Sequence, residues 1–378
     1  MTGVTVPVAR PVVTGLGVLS ACGHGLEPLT QATAHGTAAF AAVTRFDVTG
    51  RRVRRAALLP DAPPLAEAVL TAIGDACRQA AHDTWTTRPG AADDSAAPLL
   101  LALHSDLGTA GVAARIADGA RRQWGIPAVT RVYTGACVAA GTAVADAAAL
   151  IASGRHARVL VAAGHLVAAG VYAAFDAGRA LARDGEVRPF SAGRSGTLLG
   201  DAAVAVVLES EAEAERRGAP VLARISGWGR SGDAYHVCRP VPDGAGLARA
   251  IASALQRGGV APDQVGYVNA NATGSPLADQ AEANALRRVF GDHADRLPVS
   301  STTGVHGHAL EASALLELAV TIAALRSGTL PVNAGWTSRD EDCRLDLVLD
   351  RPRPTRPRYA LTVNSAFGGA NTALLVAA

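Results

Sequence analysis

Apolar and polar positions fall along this chain in blocks that predict strands and helices in regular succession. The run PVVTGLGVLS at 11–20 reads as a strand breaking on glycines, and a helix is expected over 27–33. An irregular stretch follows through Phe46 and Asp47. Residues 64–82 carry apolar positions at helical spacing, 84–98 form a mostly polar loop, and LLLAL at 99–103 predicts a buried strand. A helix over 110–124 ends at Gly125 and leads to RVYTGAC, a β-branched and aromatic run that meets a Gly-Ala-Cys turn. Small side chains without Pro then fill 138–153, with Val144, Ala148 and Ile151 at helical spacing. That pattern predicts a buried helix with Cys137 in its first turn. Gly154 stops it, and 159–163 reads as a buried strand. A turn-rich loop over 188–196 precedes a hairpin strand at 202–209.

The pattern then starts again. LARISGWG at 222–229 echoes VVTGLG as a strand running into glycines. A helix over 246–257, a strand over 265–270, a small-residue helix over 309–326 and strands at 358–364 and 372–376 follow. The same order of elements therefore occurs near 10–210 and near 221–378. It predicts two α/β halves, 1–215 and 216–378, related by duplication and built on mainly parallel sheets with right-handed crossovers.

Composition narrows the chemistry. With 378 residues, 49% of them apolar and 18% charged, the chain is an ordinary globular one with ample core. A net charge of +2 offers no basic excess for nucleic acid, and all basic residues are Arg, which excludes Schiff-base or lysine-base catalysis. Cys22, Cys77, Cys137, Cys238 and Cys343 are scattered, odd in number and lack metal-ligand spacing, so no metal site or disulfide framework is expected. No basic-then-apolar leader precedes residue 30, and the longest apolar runs contain Gly and His. A cytoplasmic protein without a membrane segment is expected.

Cys137 is the candidate nucleophile. A thiol at a helix N-terminus meets unpaired backbone N–H groups and the positive end of the dipole, so a lowered pKa is expected. The competing reading is a core cysteine, since free Cys is often buried. Three second-half segments look like ligand loops: NANATGSP at 269–276, SSTTGVHGH at 300–308 and NSAFGGAN at 364–371. Strand-end loops line ligand crevices in α/β sheets. Turn chemistry alone also accounts for their Gly and Asn.

Together these segments resemble the β-ketoacyl synthases, the condensing enzymes of the thiolase fold. VVTGLGVLS resembles the family's opening strand, and GAC with its helix its acyl-cysteine elbow. RPFSAGRSGTLLGDAA is similar to RPFD…RDG…LGEGA, and YVNANATGSPLADQAEANAL to YVNAHGTSTPLND.AE. SSTTGVHGHALEASALLE resembles SSTKS..GH..GAAG..E, and NSAFGGAN the closing glycine-rich loop.

The resemblance implies a duplicated five-layer αβαβα fold and a cysteine acylated from a carrier-protein thioester, with two histidines promoting decarboxylative condensation. It implies catalytic roles for Cys137, Asn271 and His308, with Glu317 in support. It places Thr197, Thr273, Thr303, Phe367, Gly368 and Gly369 around the substrate, requires no cofactor, and implies a dimer through the strand near 125–133. The cluster Arg51, Arg52, Arg54 and Arg55 is then a solvated face or a patch for an acidic carrier.

The departures limit the chemistry. Asn271 stands at the first His position, Thr303 at a Lys position, Ser195 at the Asp of RDG and Thr197 at the bulky residue after it. The stretch from Leu103 to Cys137 is shorter than in the resembling enzymes. An amide donates hydrogen bonds but carries no proton near neutral pH. Three readings stay open: a partner subunit like the chain-length factors of type II polyketide synthases, joined to an intact ketosynthase as a heterodimer; an independent condensing enzyme; and an acyltransferase that accepts an acyl group on Cys137 and passes it on. A degradative thiolase is disfavoured, because 364–371 holds no second cysteine.

Overall fold

The computed structural model describes residues 9–61, 63–81, 97–104, 106, 108–126 and 129–378. Its core is a repeat whose elements are numbered here in chain order. The first half contains β1 (Pro11–Ser20), α1 (Leu65–Gln79), β2 (Leu99–Leu103), α2 (Thr109–Trp124), β3 (Val129–Tyr133), α3 (Ala139–Ala152), β4 (Arg158–His165) and β5 (Ala202–Ser210). The second contains β6 (Ala223–Gly232), α4 (Ala245–Gly258), β7 (Val265–Asn269), α5 (Pro276–Phe290), β8 (Pro298–Ser300), α6 (Ser313–Ser327), β9 (Tyr359–Ser365) and β10 (Ala370–Ala377). Strands lie in the order β1-β5-β4-β2-β3 in one half and β6-β10-β9-β7-β8 in the other. The two orders are the same, so the duplication read from the sequence holds in the topology.

The sheets are mixed, which corrects the expectation of mainly parallel ones. β2 pairs in parallel with β3 and β4, and β7 with β8 and β9. However, β5 runs antiparallel to both β1 and β4, and β10 to both β6 and β9. Parallel pairing holds among β2, β3 and β4 and among β7, β8 and β9, whereas the chain returns to β5 and β10 in the opposite direction, directly beside β4 and β9. The halves meet through β1 and β6, where Val12 faces Arg224 and Val13 faces Ala223. α1 and α2 cover one outer face, α4 and α5 the other, and α3 with α6 fills the space between the sheets. This is the five-layer αβαβα arrangement.

The glycine echo has a packing cause. A Cβ at Gly15 or Gly17 would lie 2.0 Å from Ala76 O or 1.9 Å from Ala72 O of α1. At Gly227 and Gly229 it would lie 2.1 Å from Ala254 O and 1.8 Å from Ala250 O of α4. In both halves bare backbone lets an outer helix rest on the strand. α6 is buried from Ser313 through Leu325 and α3 on most of its circumference, so neither shows a polar stripe. The expected loop over 84–98 lies outside the described residues except at Ala97 and Pro98. The arginine cluster remains at the surface, as expected: Arg52 pairs with Asp176 at 3.3 Å and Arg55 with Glu186 at 2.5 Å while both arginine side chains stay exposed to solvent, with Val53 buried between.

Candidate functional site

Past Tyr133 the chain turns at Ala136, whose φ of +50° is unusual for a residue with a Cβ. Ala136–Val138 form one 3-10 turn before α3 begins at Ala139. Cys137 sits in that turn, 5% exposed, in an apolar cluster with Val167, Tyr172, Leu198, Leu199 and Leu310. His308 reaches it from the second half, with Nε2 2.9 Å from Sγ. The His308 backbone is pinned on both sides: its N–H donates to Leu198 O at 2.8 Å, and its C=O accepts from Gly200 N–H at 2.9 Å.

The charge state of this pair differs from the expectation. Burial pushes the Cys137 thiol far above its ordinary range, and Glu311 and then Glu317 add to the effect. Only the backbone N–H at its own position opposes this. A helix terminus contributes about 0.3–1 kcal/mol at an exposed site, too little to offset removal of a thiolate from water. His308 is lowered to about 4, first by burial and next by His165. At neutral pH the pair is therefore thiol and neutral imidazole. Sγ–H donates to Nε2, and Nδ1–H faces Ser313 Oγ at 3.2 Å. Such a pair can pass the thiol proton to His308 as sulfur attacks a thioester.

Asn271 and Thr303 stand together on neighbouring loops. The Asn271 backbone N–H donates to Glu282 Oε1 at 2.9 Å, and its C=O accepts from Thr303 Oγ1 at 3.4 Å. Asn271 is buried, and its Oδ1 has no hydrogen-bond partner. Burial and then Asp279 push Glu282 up to about 8. Glu317 is wholly buried on α6, held well above the ordinary carboxylate range, and accepts from Asn364 Nδ2 at 2.5 Å. It thus links α6 to the end of β9 and supports the scaffold behind the loops.

The remaining predicted residues are spread more widely. Thr197 is buried beside Leu198, and the Thr273 N–H donates to Asp279 Oδ1 at 3.1 Å. Phe367 is 55% exposed at the tip of the β9–β10 hairpin, its ring 5.9 Å from that of Phe175. Gly368 and Gly369 make the same turn with φ of +87° and +76°.

Three residues escaped the sequence reading. Glu311 is buried one turn after His308. It accepts from His104 Nδ1 at 2.9 Å and faces His165 Nδ1 at 3.4 Å. One signal was available, since the pattern GH..GAAG has Gly where this chain has Glu311. The partners His104 and His165 carry no motif of their own.

Comparison with known proteins identifies the family. Residues 68–214 match the family described as beta-ketoacyl synthase, N-terminal domain, and 222–337 match its C-terminal domain. The 3-oxoacyl-[acyl-carrier-protein] synthase 2 of Coxiella burnetii is 32% identical, over 97% of this chain and 98% of that protein. A solved structure titled the ishigamide ketosynthase/chain length factor superposes with a TM-score of 0.87 at 27% identity, over 98% of this chain and 99% of that one. A type II polyketide synthase acyl carrier protein in complex with its ketosynthase gives 0.88 at 22% identity, over 98% and 99%, a likeness of fold alone.

Proposed function

The chain belongs to the β-ketoacyl synthase family, and from that premise we propose that it is a subunit of a type II fatty-acid or polyketide synthase. In this role it resembles a chain-length factor and pairs with an intact ketosynthase. Its substrates arrive as thioesters on an acyl carrier protein. Its own decarboxylative condensation is weak or absent. The halves divide near 215, the first carrying the cysteine elbow and the second the Asn and His loops.

One observation carries the reading. The position that holds a histidine in the resembling enzymes is Asn271, a buried amide that cannot hold or release a proton near neutral pH. Loss of one such donor or acid–base group typically lowers rate about 10²–10⁴-fold. The folds of a ketosynthase bound to its chain length factor and of a carrier protein bound to its ketosynthase support the partner types. A second reading, acyl transfer through Cys137, is favoured by the 2.9 Å contact between Cys137 and His308. Under it the thioester carbonyl is attacked by sulfur, the thiol proton passes to His308 and from it to the departing carrier sulfur, and the acyl group remains on Cys137 as a thioester.

Reconstitution with a ketosynthase encoded beside this chain tests the first reading. The pair is expected to co-purify and to make a ketoacyl product that the ketosynthase alone does not make. A ketosynthase whose product and rate are the same with and without this chain would overturn it.

A further inference from the structure

The two halves of the repeat each enter their central helix through the same strained turn. In the first, Ala136 at φ +50° is followed by Cys137 in a 3-10 turn and then by α3. In the second, Leu310 at φ +42° is followed by Glu311 in the 3-10 turn Leu310–Ala312 and then by α6. The two turns pack against each other. Glu311 thus occupies in the second half the place that Cys137 occupies in the first, and the two elbows face one another across the pseudo-twofold axis.

We infer that Glu311, clamped between His104 and His165, is a positioning residue that holds a negative charge beside the Cys137–His308 pair and adds to the burial that disfavours a Cys137 thiolate. The carboxylate is 2% exposed yet kept ionised: burial alone would raise its pKa, and hydrogen bonds and charge from His165, with a hydrogen bond from His104, bring it below the ordinary value. As a carboxylate it only accepts: His104 Nδ1 lies at hydrogen-bond distance of Oε1, 2.9 Å, while His165 Nδ1 stands 3.4 Å from Oε2 as an ion-pair neighbour. His165 ends β4 and is itself buried. His104 follows β2 and is about one-third exposed on its side chain.

The groups facing this centre come from every element packed around it. His308 and Glu317 face Cys137 from the second half, and His306 lies behind His308. His104 and His165 face Glu311 from the ends of two strands. The one carboxylate of α3, Asp146, is engaged elsewhere, with Tyr133, Arg131 and Arg230. Glu311 therefore acts on the sulfur through space in a region of low dielectric, where a nearby fixed charge opposes formation of a second.

This inference rests on the proposed function only in taking Cys137 as the acyl-accepting residue. Its test reads thiol chemistry alone, so the two can fail separately. The rate of Cys137 alkylation by iodoacetamide is measured against pH in the full chain. Peptide-resolved mass spectrometry separates Cys137 from the exposed Cys238. Glu311→Gln is expected to speed alkylation at pH 8 by about tenfold and to move the profile about one unit lower. Glu311→Asp, which keeps the charge, is expected to stay within about twofold of the parent. Unchanged or slower alkylation in Glu311→Gln at parental melting temperature would overturn the inference, as would equal acceleration in Glu311→Asp. Should Glu311→Gln fail to fold, Glu311→Gly decides: it also removes the charge, so alkylation should speed about tenfold, and an equal or slower rate would refute the assignment.

Discussion

At the scale of single residues, the site is a buried thiol against a neutral imidazole, and the buried amide Asn271 sits on a separate loop against Glu282 and Thr303. His308→Ala removes the acceptor of the Cys137 proton. It should lower the rate of Cys137 acylation by a carrier thioester about 10²-fold or more, read by intact-protein mass spectrometry. Asn271→His should raise malonyl decarboxylation from its low base, read as release of carbon dioxide from malonyl-carrier substrate. No increase would mean that Asn271 is not the limiting defect. Cys137 and His308 were legible in the sequence because each sits inside a local motif. Glu311 was not recognised, because its meaning depends on His104, 207 residues away, and on His165 in another strand. Nor was the raised thiol of Cys137 legible, since sequence position shows the helix end but not the absence of water.

At the scale of elements, the loops hold the site through backbone contacts that tolerate no added bulk. A Cβ at Gly200 would lie 2.2 Å from His306 O, in the segment that carries His308. Gly200→Ala should therefore displace His308 and slow Cys137 acylation while leaving far-ultraviolet circular dichroism unchanged. Glu282 gives a pH signature to the Asn271 loop. Its pKa is raised from 4.5 to about 8 in the folded protein. The native state thus binds more protons than the unfolded chain between those values, and stability falls as pH rises through that window. Glu282→Gln keeps an acceptor for the Asn271 N–H and removes the titration. It should raise stability at pH 9 by on the order of 1–3 kcal/mol and change it little at pH 5, by urea denaturation. The strands and most helices were legible from periodicity. The antiparallel pairings of β5 and β10 were not, because pairing direction depends on where the chain returns rather than on the pattern within a strand.

At the scale of the whole molecule, the duplication sets the layout. It places two strained elbows face to face between two sheets, and the second half supplies His308, which meets the cysteine of the first. β3 lies at the outer end of its sheet with Thr130, Arg131 and Val132 exposed. An uncovered edge strand offers unpaired backbone groups to a partner. Sedimentation at micromolar concentration should give a dimer, alone or with the co-encoded ketosynthase. A monomer that binds no ketosynthase would remove the pairing from the account. The central claim is that this chain keeps an acyl-accepting cysteine without competent condensation. The direct measurement supplies the isolated chain with acyl-carrier and malonyl-carrier substrates, then follows both Cys137 acylation and ketoacyl product by mass spectrometry. Slow acylation of Cys137 with little or no ketoacyl product is the predicted result. Rapid ketoacyl formation by the parent chain, abolished in Cys137→Ala, would contradict it and make Asn271 a working catalytic residue.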